Sequence, residues 1–320
     1  MSLNASGLRL VHVYESHFDV RFDQELLARY VYRPDIPQIE APKPYIEPVR
    51  TLGGDLVSVY RPHDHIWHKG IQLALPHVDD QNIWGGYTYV RDQGYVQLEN
   101  NGSMVHESFD QLTLDVSSVE AVERLGWFSF AGERMVDERR EVVFDVAGAD
   151  DGAWVLTVST AIHNCGERPL VLSSPTVHGR PDAGYGGLTW RGPRSFTGGD
   201  IIASGGRSGP ELMGKQGEWL GFVGTHDGNI HASTVVFVEV ESPDVPTTWF
   251  VRTEPYAMIC ASPFFHEAVA VAADGELRLA WAVIVADGAW DAAAIERYIV
   301  AHGVDQRRTQ TADAVGQALP

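Results

Sequence analysis

The chain is dominated by short runs in which apolar and polar residues alternate. Examples are residues 111–116 and 141–146, whereas the run at residues 154–162 is consistent with a strand packed on both faces. Alternation with a period of two is typical of β-strands that bury one face. Dipeptides such as Asp151-Gly152 and Asp274-Gly275 separate the runs and favour tight turns. About fifteen such runs can be counted, so the sequence predicts an all-β protein.

Helical spacing of apolar residues is confined to residues 290–300, where Asp287 or Asp291 can cap the first turn and Gly303 can end the helix. No repeat of about 40 residues is present, which disfavours a propeller. The prediction is therefore a large two-sheet antiparallel β-sandwich with one short C-terminal helix. We expect a single domain over residues 1–303, followed by a polar tail at 304–320.

Charge and hydropathy exclude several classes of protein. The chain has 24 Lys and Arg against 43 Asp and Glu, and its net charge of −19 includes no basic run that would suit nucleic acid or an acidic membrane. No apolar run reaches the roughly 18 residues that span a bilayer, and the first residues lack the apolar region of a signal peptide. Cys165 and Cys260 are too few for a disulfide framework. We expect a cytoplasmic protein with reduced thiols and no nucleic-acid or membrane partner.

The densest group of ionisable side chains lies at residues 61–70, Arg-Pro-His-Asp-His-Ile-Trp-His-Lys-Gly. This segment holds three of the thirteen histidines, His63, His65 and His68. Burying such groups without partners costs about 1–3 kcal/mol each, so the segment suits the wall of a polar pocket better than a core. In an extended backbone His63 and His65 share a face, and His68 joins them only if the chain bends near Trp67.

Three interpretations of the histidines compete. Imidazoles titrate near neutrality and suit proton transfer at a sugar, with the indole of Trp67 as an apolar surface. Neutral imidazoles also suit one divalent metal ion, with His63, His65 and His68 as ligands. The cupin pattern would place a Glu three or four residues after His65, where this chain has His68 and Lys69. The third interpretation is a solvated loop.

Two long loops are expected to complete a pocket. Residues 76–94 are rich in glycine and aromatic residues and are expected to fold over the histidines. Residues 173–217 are dense in glycine and are expected to bring Tyr185 and Arg191 to the pocket, with His178 as a further candidate. Four carboxylates are candidates for completing an acid–base site: Glu107, Asp182, Glu254 and Glu267.

Four segments of the chain resemble a family of bacterial proteins labelled "methane oxygenase PmoA", which is also treated as a family of unknown function. The segments are residues 44–54 (Pro-Tyr-Ile-Glu-Pro-Val-Arg-Thr-Leu-Gly-Gly), 61–70, 185–191 and 249–252. The resemblance covers roughly residues 25–300. The methane monooxygenase subunit of that name is an integral membrane protein. Because this chain lacks a membrane-spanning run, methane oxidation and membrane copper are not carried over.

The resemblance implies a galactose-mutarotase-like supersandwich. It also implies a role in carbohydrate metabolism, because such proteins tend to be encoded beside sugar oxidoreductases. We therefore expect epimerase, lyase or hydratase chemistry on a sugar or oxidised sugar, with His63, His65 and His68 as catalytic groups. The predicted substrate-binding residues are Trp67, Lys69, His178, Tyr185, Arg191 and Arg252. A His-ligated lyase or oxygenase with one divalent metal, and a non-catalytic carbohydrate-binding partner of a sugar oxidoreductase, are the alternatives.

Overall fold

The computed structural model describes residues 7–240 and 244–306. Its strands are β1 (Leu8–Val13), β2 (His17–Phe22), β3 (Glu25–Val31), β4 (Tyr45–Val49), β5 (Ile71–Ala74), β6 (His77–Val78), β7 (Thr88–Val90), β8 (Gly94–Val96), β9 (Ser103–Leu114), β10 (Ser118–Phe128), β11 (Arg134–Asp145), β12 (Ala153–Asn164), β13 (Leu170–Ser173), β14 (Gly187–Arg191), β15 (Asp200–Ala203), β16 (Arg207–Ser208), β17 (Lys215–Gln216), β18 (Trp219–Thr225), β19 (Ala232–Glu239), β20 (Thr248–Arg252), β21 (Met258–Ser262), β22 (Val269–Val271) and β23 (Glu276–Asp287). The α-helix, α1, spans Ala292–His302.

Two antiparallel sheets of nine strands each form the molecule over the described residues. The first has the order β1-β2-β3-β4-β5-β14-β21-β20-β17, and the second has the order β16-β15-β18-β19-β23-β12-β11-β10-β9. A three-stranded sheet, β22-β13-β6, and the hairpin β7-β8 are added to them. The predicted all-β, two-sheet antiparallel sandwich is confirmed.

The apolar faces of both sheets meet in one core. Leu188 and Trp190 of β14 belong to the same buried cluster as Leu156 of β12 and Val283 of β23. Four buried tryptophans, Trp127, Trp154, Trp190 and Trp281, donate their indole N–H groups to partners, as Trp190 does to the carbonyl of Val57 at 2.7 Å. A buried indole removes a large apolar area from water without leaving its donor unpaired.

The single α-helix of the described chain has the caps that the sequence predicts. The side chain of Asp291 accepts a hydrogen bond from the amide of Ala294 at 2.8 Å, and Gly303 ends the helix with a φ of 54°. Ile295 and Ile299 pack on the outer face of the second sheet. A short 3-10 helix at Val304–Gln306 follows. Residues 307–320 of the predicted tail lie outside the described residues.

Two further expectations concern membranes and thiols. Within residues 7–240 and 244–306, no helix combines the length and apolar character needed to cross a membrane. Both cysteines are free thiols, with Cys165 exposed and Cys260 buried.

The outer face of the first sheet, on the side away from the shared core, presents a second set of side chains. Along β20, Trp249 and Val251 point into the core, while Phe250 belongs to an outer cluster that includes Met258 and Trp84. Strand β14 lies between β5 and β21, at the middle of this sheet. Segment 61–70 runs directly into β5, which brings the histidine cluster beside β14.

Gly187 begins β14, and a substitution there measures how closely β14 packs against the neighbouring strand β21. Its φ is 80°, and a Cβ there would collide with the carbonyl oxygen of Ala261 in β21. Gly132 has a φ of 84° and open space where a Cβ would lie, so it shares the backbone strain without the collision. Gly132→Ala is expected to cost about 1–2 kcal/mol. Gly187→Ala is expected to cost about 1–3 kcal/mol more in denaturant unfolding. Equal losses in the two variants would contradict the close packing of β14.

Candidate functional site

A cavity of about 350 Å³ opens on the outer face of the first sheet. This volume is typical of sites that bind small molecules. Its walls come from segment 61–70, the loops at 84–87 and 180–185, hairpin β7-β8, and strands β20 and β21 with their connection. The lining side chains are Asp64, His65, Trp67, His68, Trp84, Tyr87, Tyr95, Arg180, Tyr185, Phe250, Arg252, Tyr256 and Met258, with Gly85.

Segment 61–70 is folded into consecutive tight turns and is not extended. The amide of His65 donates to the carbonyl of Pro62 at 3.0 Å, and the amide of His68 donates to the carbonyl of His65 at 3.0 Å. This bend places the imidazoles of His65 and His68 face to face, with ring centroids 4.7 Å apart and planes 8° from parallel. His63 points elsewhere, and its Nδ1 accepts from the guanidinium of Arg194. The backbone is therefore not the extended one in which His63 and His65 would share a face. The bend near Trp67 brings His68 beside His65, and His63 does not line the cavity.

Arg191, at the end of β14, contacts both Asp64 and His68 in the polar wall of the cavity. Its Nη2 donates to Oδ2 of Asp64 at 2.7 Å, and its Nη1 donates to Nδ1 of His68 at 2.9 Å. Its guanidinium also lies 3.7 Å from the ring centroid of Tyr256. A guanidinium nitrogen only donates, so Nδ1 of His68 must be an unprotonated acceptor. A neutral His68 therefore carries its proton on Nε2.

His65 has the opposite tautomer because its partner is a carboxylate. Nδ1 of His65 lies 2.8 Å from Oδ2 of Asp64. Burial alone would raise the pKa of Asp64, but the hydrogen bonds from Arg191 and His65 outweigh it and lower the pKa to about 2. The ionised carboxylate accepts a hydrogen bond from Nδ1–H, which leaves the lone pair of His65 on Nε2.

Both imidazoles are kept neutral near pH 7. Burial is the main cause that lowers the pKa of His65, with Arg191 and Arg252 adding to it and Asp64 opposing it. Burial also lowers the pKa of His68 well below its usual value, and the charge of Arg191, like that of His65 when it is protonated, acts in the same direction. The wall therefore presents one imidazole nitrogen that can take a proton beside another that can donate a hydrogen bond.

Aromatic side chains form the remaining walls. The rings of Trp84 and Tyr185 lie 4.6 Å apart, and the hydroxyl of Tyr185 is 3.0 Å from that of Tyr95. The indole nitrogen of Trp67 and Nε2 of His68 are buried polar atoms that have no hydrogen-bond partner among the described residues. Because such atoms are costly to leave unpaired, they suit contacts with polar groups of a ligand.

Lys69 was predicted to bind substrate, but the structure places it behind the wall. Its side chain is 1% exposed, and its Nζ lies 2.8 Å from Oε2 of the fully buried Glu40. Arg61 donates to the other oxygen of Glu40 at 2.6 Å. Nearby, Nζ of Lys43 donates to the carbonyl of Trp84 at 3.0 Å. These pairs fix the loops under the cavity, since breaking one would leave a buried charge uncompensated.

His178 also lies away from the cavity. Its ring stacks on His77 with centroids 4.0 Å apart, and its Nε2 is 3.0 Å from the hydroxyl of Ser173. The other predicted binding residues do come together: Trp67, Tyr185 and Arg252 line the cavity, and Arg191 contacts two of its lining side chains.

The carboxylate of the site is one that the sequence interpretation did not select. The four candidates Glu107, Asp182, Glu254 and Glu267 are all exposed, and none lines the cavity. Asp64 does line it. Its position in the sequence between His63 and His65 could have identified it as the carboxylate of the site. Arg180 and Tyr256 were also missed, although each lies within four residues of a selected residue, His178 and Arg252 respectively. Loop 76–94 contributes Trp84, Gly85 and Tyr87 to the walls, as predicted.

The histidines do not fit the proposed metal ion. Within residues 7–240 and 244–306, no three His, Cys, Asp or Glu side chains are arranged to hold a metal. His63 is turned toward Arg194, and Nδ1 of His68 is occupied by a guanidinium. A permanent cation at that nitrogen opposes coordination of a second cation.

A model of a family of unknown function, DUF6807, matches residues 17–300. The chain belongs to this family. The methane-oxygenase label of the resemblance is no part of that description. No curated protein matches the chain.

Several solved structures are similar to this DUF6807 protein at low identity. The GH36 alpha-galactosidase AgaB from Geobacillus stearothermophilus is 12% identical, with 88% of this chain and 41% of that chain covered and a TM-score of 0.45. A mutant of the heparan sulfate lyase HepC from Pedobacter heparinus is 9% identical, with 91% of this chain and 37% of that chain covered and a TM-score of 0.39. The Slr1438 protein from Synechocystis sp. PCC 6803 is 11% identical, with 89% of this chain and 98% of that chain covered and a TM-score of 0.37. The chain spans about two fifths of the length of the galactosidase and lyase chains.

The charges around His65 predict how its pKa responds to two substitutions in the DUF6807 protein. Asp64 raises the pKa of His65, so Asp64→Asn is expected to lower it further. Arg252 lowers the pKa of His65, so Arg252→Gln is expected to raise it. Titration of the imidazole Cε1–H signal by NMR measures both. The pKa of His226, which burial lowers away from the cavity, is the internal control and is expected not to move. Shifts of the same sign in both variants would contradict the assigned contacts.

Proposed function

We propose that the cavity binds a sugar or oxidised sugar and carries out acid–base chemistry at the carbon next to its carbonyl group. The observation that carries this proposal is the pair of stacked imidazoles in opposite tautomers. Asp64 directs the lone pair of His65 to Nε2, and Arg191 directs the proton of His68 to Nε2. A base and a hydrogen-bond donor side by side are what proton transfer next to a carbonyl requires.

The proton transfer can be written for these residues. Nε2 of His65 takes the proton from the carbon, and the electron pair of that C–H bond forms a C=C bond while the carbonyl electrons move to oxygen. The Nε2–H group of His68 donates a hydrogen bond to that oxygen and stabilises the resulting enediolate. The carboxylate of Asp64 stabilises the imidazolium formed on His65, as the aspartate of a catalytic triad does for its histidine. A proton delivered to the opposite face of that carbon gives an epimer, and a proton delivered to the former carbonyl carbon gives an isomer. Departure of a substituent on the next carbon with its bonding electrons gives the lyase outcome.

The aromatic walls support the choice of a sugar. Trp67, Trp84 and Tyr87 supply flat apolar surfaces that suit the C–H faces of a pyranose. The hydroxyls of Tyr95 and Tyr185 and the unpartnered indole N–H of Trp67 supply polar contacts for sugar hydroxyls. This combination of a mainly apolar wall with a few placed polar groups is typical of small-molecule sites.

A carbohydrate-binding role without turnover is the second candidate. It is favoured by the aromatic side chains at the mouth, where Tyr87 is 51% exposed and Tyr95 is 41% exposed. Such a protein would need the aromatic walls but not the tautomer pair. The galactose-mutarotase-like class, a cytoplasmic location and an association with a sugar oxidoreductase stay predictions. The arrangement of the histidines does not fit the metal-dependent alternative.

The acid–base proposal predicts hydrogen exchange in D₂O. Incubation with a panel of aldoses, ketoses, 3-keto-sugars and uronic acids is expected to remove the proton NMR signal of the C–H next to the carbonyl of at least one compound. His65→Gln is expected to slow this exchange about 10²–10⁴-fold, because glutamine has no titratable nitrogen. His68→Gln is also expected to slow it.

His63→Gln is the matched comparison, because His63 belongs to the same segment but contacts Arg194 outside the cavity. It is expected to exchange at the wild-type rate. Exchange that survives in His65→Gln would overturn the acid–base proposal. Sugar binding without exchange in the wild type would favour the non-catalytic role.

A further inference from the structure

Positive charge is concentrated at the cavity of an acidic protein. Arg180 and Arg252 line the cavity, and Arg191 lies against its wall, although the net charge of the chain is −19. The single carboxylate that lines the cavity within the described residues is Asp64. It is already hydrogen-bonded to Arg191 and His65. The guanidinium groups of Arg180 and Arg252 therefore have no carboxylate of the protein to balance them in the cavity.

Arg252 shows this imbalance most clearly. It is half-buried at the end of β20, and its guanidinium has no hydrogen bond or carboxylate partner among the described residues. Its guanidinium instead lies over the ring of Phe250, 5.2 Å from the centroid. Several other arginines of the two sheets are paired with carboxylates, as Arg29 is with Asp19 and Arg140 is with Glu138. A partly desolvated guanidinium without a partner is costly, and an anionic ligand would remove that cost.

Arg180 is positioned by aromatic contacts. It donates to the hydroxyl of Tyr95, and its guanidinium lies 4.6 Å from the centroid of that ring. The Tyr95 hydroxyl also lies 3.0 Å from the hydroxyl of Tyr185. These contacts fix the side chain at the mouth and use only part of its five N–H donors, so the remaining donors are available to a ligand.

We propose that the substrate is an anionic sugar derivative whose carboxylate or phosphate group is bound by Arg252 and Arg180. The planar fork of a guanidinium matches both groups in a bidentate manner. This inference rests on the proposed function for the statement that the ligand is a sugar. The two arginines supply the further statement that the ligand is negatively charged.

Binding of an anion would also act on the proton acceptor. The positive charge of Arg252 contributes to the lowered pKa of His65, after burial and Arg191. An anion beside Arg252 offsets that charge, so the bound substrate would make His65 a stronger base. Substrate charge and proton transfer would then be coupled through the same arginine.

Calorimetric titration with four probes tests the inference: D-gluconate, D-glucuronate, D-glucose 6-phosphate and uncharged D-glucose. At least one anionic probe is expected to bind the wild type more tightly than D-glucose. Arg252→Gln and Arg180→Gln are each expected to weaken that binding about 10- to 100-fold, as for the loss of a charged hydrogen bond. The affinity is also expected to fall as salt is added. The carboxylate and phosphate probes distinguish the two forms of the anion.

Arg168→Gln is the matched control, since it removes the same charge from an exposed residue that does not line the cavity. It is expected to bind the anionic probe as the wild type does. D-glucose binding as tightly as the anions, unchanged binding in Arg252→Gln, or no binding by any anionic probe would each overturn the inference. The proposed function fails separately from this inference. His65→Gln is expected to lose hydrogen exchange and still bind the anion. Anion binding that depends on Arg252 and Arg180, with no hydrogen exchange in the wild type, would contradict the proposed function and leave the anion inference standing.

Discussion

The candidate site depends on the buried guanidinium of Arg191. Only 3% of Arg191 is exposed, and one nitrogen binds Asp64 while the other binds His68. The ring of Tyr256 covers its face. A buried cation needs partners to offset its desolvation. Here the partners are the carboxylate of Asp64, which sets the tautomer of His65, and the imidazole of His68, whose own tautomer Arg191 sets. The same contacts thus stabilise the arginine and define the chemistry of the wall.

The fold holds this arrangement on rigid elements. Arg191 is the last residue of β14, which is paired on both sides by β5 and β21. The turn segment that carries the histidines leads directly into β5, and the buried pair of Glu40 and Lys69 anchors it from behind. Sites supported by strands and buried ion pairs keep side chains in place more closely than free loops do. The aromatic loops then cover the polar wall and lower its exposure to water, which keeps both imidazoles neutral.

The sequence predicted the fold class because strand periodicity is a local property. The alternation in residues 154–162 corresponds to β12, and Asp291 caps the helix as expected. The histidine segment was found for the same reason, since its density of polar groups is visible without a structure. What could not be predicted depends on distant contacts. Lys69 is withdrawn from the cavity by Glu40, 29 residues earlier in the chain, and the orientation of His63 depends on Arg194. That His68, and not His63, lies beside His65 follows from the turn geometry of residues 61–68. The periodicity of the sequence does not contain that geometry.

The central claim is that two stacked neutral imidazoles hold their protons on different nitrogens. Nitrogen-15 NMR of the imidazole rings near pH 7 distinguishes Nδ1–H from Nε2–H directly, with His65→Gln and His68→Gln used for assignment. We expect an Nδ1–H tautomer for His65, bonded to Asp64, and an Nε2–H tautomer for His68, bonded through Nδ1 to Arg191. The same tautomer in both rings, or a protonated imidazolium at His68, would contradict it.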